Sequence, residues 1–233
     1  LYMYQACASL ELEVDWGEDI WSLACDVTNV KSMFDARIKQ FKERLQTEEI
    51  LICWTHGENF RKSVYPDYKG GRKKTRKPVG YRAAVDWAKE TYRSTWQDTL
   101  EADDVMGIIQ SSRRVPTCIV SDDKDLRTIP GRLYRPMSDE MFIIKDQEAN
   151  YNFLYQCLVG DTVDGYSGCP RIGPKTAEKL LGRNPSWEQV YVAYQKAGLT
   201  REQAIQQSRC ARILHAVDWN FETQTINLWE PGR

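Results

Sequence analysis

The sequence predicts an α/β fold, an open and mostly parallel sheet flanked by helices, followed by a C-terminal region that is helical almost throughout. Three observations predict it: apolar residues step by three and four over long stretches, two short apolar runs read as buried strands, and the second of these runs ends directly before Asp122 and Asp123. Carboxylates at that edge stand where open α/β sheets gather their ligands. Leu1-Tyr-Met-Tyr-Gln-Ala reads as the helix that should follow a buried strand, so the chain is expected to start beyond its natural beginning and to leave a gap in the sheet. Ile20, Leu23, Ala24, Val27, Val30, Phe34, Ile38, Phe41 and Leu45 then give one long amphipathic helix, which leads into a strand at Ile50 to Trp54. Helices are expected at Val79 to Tyr92 and Asp103 to Gln110, around the second strand at Thr117 to Ser121. Four more follow, at Gln147 to Leu158, Lys175 to Leu181, Trp187 to Lys196 and Arg201 to Leu214, before a short strand near Thr225 to Trp229.

With 42% hydrophobic residues, 233 positions can build a sizeable core, as one large domain or two small ones. No apolar run reaches membrane length and no charged-then-apolar leader opens the sequence, so a soluble, unexported protein without a membrane partner is expected. Seven cysteines, an odd number without a CxxC pair, fit reduced thiols better than disulfides or zinc. The net charge of -1 hides a polar distribution. Arg61, Lys62, Lys69, Arg72, Lys73, Lys74, Arg76 and Lys77 stand against the single acid Asp67 within 61–77. Such a cluster releases counterions on meeting phosphates, and Tyr65, Tyr68 and Tyr81 interleave rings suited to stacking on bases. A solvated loop would carry the same composition.

Seven carboxylates fall in three runs: Glu101, Asp103 and Asp104; Asp123 and Asp125; Asp161 and Asp164. Taken singly, each run suits a helix N-terminus or a turn. Together at the rim of a core they repel unless a cation neutralises them, and hard divalent ions take such oxygen ligands. Two ions about 3.5 to 4 Å apart form the usual clamp for displacement at phosphorus. The Gly-rich stretch from Gly160 to Ala177 turns into a helix with Pro174 at its start, and Arg171, Lys175 and Lys179 add charge to that surface. A helix N-terminus preceded by glycines accepts backbone phosphate closely.

These motifs in this order resemble the 5′-nuclease family, which includes flap endonucleases, the 5′-nuclease domain of bacterial DNA polymerase I and phage 5′-exonucleases. The matching residues are NFRK at 59–62, PDYKGGR at 66–72, EADD at 101–104, SDDKDL at 121–126, and GDTVDGYSG at 160–168 with IGPKTA at 172–177. Within the family, KPVGY at 77–81, Asp164-Gly-Tyr-Ser-Gly and Ala211-Arg-Ile-Leu214 look closest to the gene-six 5′-exonucleases of the T-odd podoviruses, over about Trp16 to Pro231. The resemblance implies a PIN-like 5′-nuclease fold: a nuclease core over 1–158, including a basic helical arch segment at 61–90, and a helix-three-turn-helix region over 159–233. It implies two Mg2+ ions, with Mn2+ as a substitute. Glu101, Asp103 and Asp104 would hold the first, Asp123 would sit between the ions, and Asp125, Asp161 and Asp164 would serve the second. Lys69 would touch the scissile phosphate, with Arg72 neutralising developing charge. DNA contacts are implied for Arg61, Lys62, Tyr68, Lys73, Lys74, Arg76 and Lys77 in the arch. Arg171, Gly173, Lys175 and Thr176 would supply others at the turn, which in the family often holds K+ on its carbonyls.

Two departures stand out. The family's first metal-binding Asp belongs to the strand expected before Leu1, and its second aligns with His56. The imidazole of His56 is open to two readings: a borderline ligand or phosphate donor, or a residue that only fills space after the strand, Mg2+ preferring oxygen. The expected function is a 5′ to 3′ exonuclease on double-stranded DNA, with flap cleavage and RNase H-like primer removal in replication and recombination. Its substrates would be duplex, nicked or flapped DNA and RNA–DNA hybrid. A monomer in the cytoplasm of the infected bacterial cell, with replication proteins as partners, completes this reading. The alternatives are a weakly cutting, structure-specific DNA-binding protein of the same fold and a PIN-like ribonuclease, against which the helix-three-turn-helix argues.

Overall fold

In chain order the elements are α1 (Tyr2–Ser9), β1 (Glu11–Asp15), β2 (Trp21–Cys25), α2 (Val27–Leu45), β3 (Ile52–Cys53), α3 (Arg61–Val64), α4 (Tyr81–Thr91), β4 (Ser94–Thr95), α5 (Ala102–Ser111) and β5 (Cys118–Val120). They continue as a 3-10 turn (Lys124–Thr128), β6 (Gly131–Arg135), β7 (Glu140–Ile144), α6 (Asp146–Val159), α7 (Pro174–Leu181), α8 (Trp187–Lys196), α9 (Arg201–Ala211), a second 3-10 turn (Ala216–Asp218), β8 (Trp219–Asn220) and β9 (Thr225–Ile226). The computed structural model describes residues 1–71 and 76–232. The chain forms two compact units, Leu1–Ile52 with Lys74–Thr95, and Cys53–Lys73 with Trp96–Arg233. The boundary expected after residue 158 is not where they divide, because α6 packs on α7, α8 and α9 and shares one core with them.

In the first unit, α1, α2 and α4 pack together, and α2 buries Val30, Phe34, Ile38 and Phe41 at the expected spacing. The expected start of that helix at Ile20 is corrected. Gly17, with φ +82, turns the chain between two mutual backbone bonds of Trp16, Gly17 and Ile20, so Ile20 ends a turn and β2 pairs antiparallel with β1. Asp26 then caps α2, accepting the N–H of Thr28 at 2.8 Å, so helix begins only at Val27. β3 and β4 join through the Ile52 N–H and the Arg93 carbonyl at 3.0 Å.

In the second unit β5 lies parallel to β6, and β6 antiparallel to β7. The α/β class holds, while the sheet comes in small pieces and β5–β6 is the parallel pair whose register is defined. The β6–β7 hairpin was not expected, since its outward residues Met141 and Ile143 are apolar and exposed and break the alternation that marks a half-buried strand. The C-terminal region likewise includes a short antiparallel pair, β8–β9. α9 stops at Ala211 instead of Leu214 because Arg212 is extended and Leu214 gives its N–H to the Asp104 carboxylate at 3.1 Å. Among the described residues no helix is long and apolar enough to cross a membrane, and all seven cysteines are free thiols.

Candidate active site

The second unit brings three of its segments to one place. Glu101 is the N-cap of α5, its side chain accepting the N–H of the third helical residue, so Asp103 and Asp104 fall in the first turn, where the helix dipole favours acids. Asp123 caps the 3-10 turn after β5 and accepts the Asp125 N–H at 2.9 Å. Asp161 and Asp164 sit in a loop closed by two backbone bonds between Asp161 and Tyr166, at 2.8 and 3.1 Å. That loop requires glycine. Gly160 has φ +71, and a Cβ there would stand 2.3 Å from the Ser167 carbonyl carbon. Gly165, at φ +80, lets the loop close on residues 67–69, where the Lys69 N–H donates to the Asp164 carbonyl at 2.7 Å.

Lys69 is the partly buried cation of this cluster, while the exposed Lys124 lies 3.8 Å from Asp161 Oδ2. Its Nζ donates to Glu101 Oε1 and lies 3.5 Å from Asp164 Oδ2, and it opposes the charge on Asp103. Burial, then Asp123, Asp104 and Glu101, push the Asp103 carboxyl up to about 7. Burial and then Asp123 push Asp125 up to about 6, with Asp161 and Asp164 acting in the same direction. Carboxylates from all three runs therefore feel one another. Among the described residues no three Asp, Glu, His or Cys side chains stand together as a ready-made cage for an ion. The donor set still fits a hard divalent cation: the donors are oxygens, two acids are held against ionisation by burial and then by their neighbours, and Gln156 Oε1 is buried beside Asp125 without a hydrogen-bond partner among the described residues.

Other expected residues lie elsewhere. Asp104 is wholly buried with both oxygens on the Arg61 guanidinium, at 2.7 and 2.8 Å, so it points away from the other acids' open side. Arg61, 2% exposed, also donates to the Cys210 carbonyl at 3.1 Å and to that of Arg212. Neither is available to a metal or to DNA, and the expectations for both are corrected: a buried guanidinium is held by a buried carboxylate and the peptide groups around it. Tyr68 is corrected too. It is 2% exposed, parallel to Tyr166 with centroids 6.4 Å apart, and its hydroxyl donates to Asp164 at 3.0 Å and Glu101 at 3.3 Å, so it braces the acids instead of stacking on bases.

Lys62, Arg171, Gly173, Lys175 and Thr176 are exposed, the last four around the start of α7. In the first unit Arg76 is bound to Glu11, which also accepts the Val79 N–H, and Lys77 lies over the rings of Tyr4 and Tyr81. Arg72, Lys73 and Lys74 lie outside the described residues. His56 is exposed, its Nδ1 2.8 Å from Asp98 Oδ1. Sequence reasoning missed Gln156, whose Nε2 donates to Asp125 at 2.8 Å. The available signal was a polar residue inside the apolar run Phe153, Leu154, Cys157, Leu158.

Glu101, Asp103 and Asp164 gather at Lys69, and Asp123 and Asp125 follow the C-terminal end of a parallel strand, an arrangement of oxygen donors and a cation suited to phosphodiester hydrolysis. The chain belongs to the 5′-3′ exonuclease family, whose model for the N-terminal resolvase-like domain matches residues 22–150, and it is a 5′-nuclease. It is 30% identical to the exonuclease of Escherichia phage T7 over 98% of this chain and 90% of that protein. The exodeoxyribonuclease of Enterobacteria phage T3 gives the same identity and coverage. Among solved structures, the bacteriophage T5 flap endonuclease, in a pseudo-enzyme–product complex with DNA and metal ions, superposes with a TM-score of 0.58 at 15% identity, covering 77% of this chain and 82% of that one.

Proposed function

We propose that the protein is a divalent-metal-dependent 5′ to 3′ exonuclease on double-stranded DNA that also cleaves flaps and removes RNA from RNA–DNA hybrids during phage replication and recombination. The observation that carries this reading is Lys69 seated between Glu101 and Asp164, beside Asp103 and Asp125, whose carboxyls are raised by burial and then by the neighbouring acids. The exodeoxyribonuclease of phage T3 supports the DNA substrate, the 5′-3′ exonuclease family supports the polarity, and the T5 complex supports DNA and metal together.

Glu101, Asp103 and Asp123 would hold one Mg2+ or Mn2+, and Asp125, Asp161 and Asp164 a second, with Asp123 between them. Bound ions at such a site supply hydroxide near neutral pH and neutralise the leaving oxygen. Tyr68 keeps Glu101 and Asp164 apart and aimed by donating to both. Lys69 gives the scissile phosphate a cation that is already held at the acids, so its charge favours the transition state in a partly buried place. Arg72 supports it from the same segment. His56 stays a space-filling residue whose partner is Asp98. Lys62, Lys73, Lys74, Arg76 and Lys77 would follow the DNA backbone along the arch, while Arg171, Gly173, Lys175 and Thr176 would grip duplex phosphates at the turn, with K+ on its carbonyls. A monomer in the infected cell's cytoplasm, meeting other replication proteins on DNA, fits this chemistry.

The test uses 5′-labelled duplex, flap and RNA–DNA substrates with Mg2+, Mn2+ or chelator. Cleavage should need the ion. Lys69→Ala should lower turnover more than it raises the half-saturating DNA concentration, and Asp164→Asn should abolish cleavage while duplex binding in Ca2+ survives. Full-rate cutting by Asp164→Asn under saturating Mg2+ would overturn the assignment.

A further inference from the structure

The strongest unexplained group near the acids is Gln156. Its Nε2 donates to Asp125 Oδ1 at 2.8 Å, and its Oε1 is buried without a hydrogen-bond partner among the described residues. Turning the amide over would set a carbonyl oxygen against a carboxylate, so the carboxylate fixes the orientation and leaves the oxygen unmatched. Gln156 and Asn152 are four residues apart on one face of α6, and Asn152 Nδ2 donates to the Arg127 carbonyl at 3.0 Å. One face of α6 thus holds the 3-10 turn that carries Asp125 at two points. The same helix runs on, one turn later, into Gly160 and the loop of Asp161 and Asp164. Whatever sets α6 also sets the separation between Asp125 and those two acids.

We propose that Gln156 is a positioning residue for the second ion's side of the site, its amide orienting Asp125 and its carbonyl oxygen accepting a hydrogen bond from the hydration shell of the cation. This rests on the metal-dependent reading above and adds to it a residue that touches neither DNA nor the metal directly. A merely structural glutamine in this place would bury both ends of its amide in hydrogen bonds, as buried polar groups generally do. Groups that orient metal ligands typically change affinity for the ion by about 10 to 100-fold when removed.

The experiment measures Mn2+ binding to the full chain, without DNA, from the electron paramagnetic resonance signal of free Mn2+, alongside the melting temperature of each variant. Gln156→Leu and Gln156→Met both remove the polar ends, the second keeping the unbranched shape of the side chain. Asn152→Leu loosens the same turn without touching Asp125. The expected result is a weaker Mn2+ site lowered about tenfold or more in both Gln156 variants, with little change in Asn152→Leu and melting temperatures that stay close to the parent's. Should Gln156→Leu fail to fold, Gln156→Met carries the comparison. Unchanged Mn2+ binding in the folded Gln156 variants overturns the proposal, as does an equal loss in Asn152→Leu, which would reduce Gln156 to a clamp. A parent chain that binds no Mn2+ at millimolar concentration overturns the metal reading itself, which separates the two failures.

Discussion

His215 shows how neighbours decide a residue's chemistry. The sequence offers it as a helix-end residue in an apolar stretch. The structure places its Nε2 3.1 Å from the Thr128 carbonyl, so that nitrogen carries the hydrogen and the ring is neutral. Burial, and then Arg212, hold its pKa down at about 3, while the Thr128 bond and Asp146 act weakly the other way. The sign of the linkage follows. The unfolded chain takes up this proton near pH 6.5 and the folded chain does not until about 3, so the unfolded state binds more protons between these values. His215 therefore contributes stability that is present above pH 6.5 and drains away as the pH falls through that window, by at most about 1.4 kcal/mol per pH unit. His215→Gln should flatten the fall of melting temperature between pH 6.5 and 4.5 relative to the parent. Asp103 and Asp125, raised in the folded state, slope the opposite way in both proteins and cancel in the comparison. Parallel curves for the two proteins would show that His215 does not titrate as described.

Helices and loops are set relative to one another by a buried ion pair that the sequence did not announce. Arg61 and Asp104 join three stretches: the one that runs on to Tyr68 and Lys69, the first turn of α5 that carries Glu101 and Asp103, and the end of α9 with the residues just after it, through the Cys210 and Arg212 carbonyls and the Leu214 N–H. The motif residues were legible because their types and order carry chemistry, and the helices were legible from spacing, as at Val30, Phe34, Ile38 and Phe41. What was not legible is which member of a polar motif turns inward. EADD reads as three equivalent ligands, yet the helix geometry that exposes Asp103 to Asp123 rotates Asp104 by one position into the core. The β1–β2 hairpin was hidden for a related reason, since Ile20, Leu23 and Ala24 fit a helical period by coincidence and only the turn at Gly17 shows otherwise. Breaking one partner of a buried pair costs about 3 to 5 kcal/mol, whereas replacing both with apolar groups is often neutral. Arg61→Met alone should therefore lower thermal stability sharply, and adding Asp104→Leu should recover only part of it, because the Leu214 N–H and the Cys210 and Arg212 carbonyls then lack their partners. If Asp104 only positions α5, the double variant keeps the parent's half-saturating Mg2+ concentration and loses turnover. A large rise in that concentration would return Asp104 to the ligand set.

Across the whole molecule, 32 basic and 33 acidic side chains nearly cancel, and the balance conceals where each sign sits. Acids of three runs crowd together, with Lys69 at Glu101 and Asp164 and Lys124 near Asp161, while Arg171 and Lys175 stand exposed at the entry to α7. Neutralising a phosphate releases counterions, so affinity for duplex DNA should fall steeply as salt rises even though the protein is slightly acidic. Each phosphate contact contributes about 0.9 to the slope of log affinity against log salt concentration. The double variant Arg171→Ala, Lys175→Ala should flatten that slope by about 1.8, measured by anisotropy of labelled duplex in Ca2+, and should leave turnover at saturating DNA near the parent's. Arg113→Ala is the matched control: its guanidinium is exposed but already lies 2.5 Å from Asp146, so removing it should leave the slope unchanged. An equal flattening by both would mean that overall charge, not the α7 turn, governs binding. An unchanged slope in the double variant, with turnover lost, would move Arg171 and Lys175 from gripping the duplex to the chemistry of cleavage.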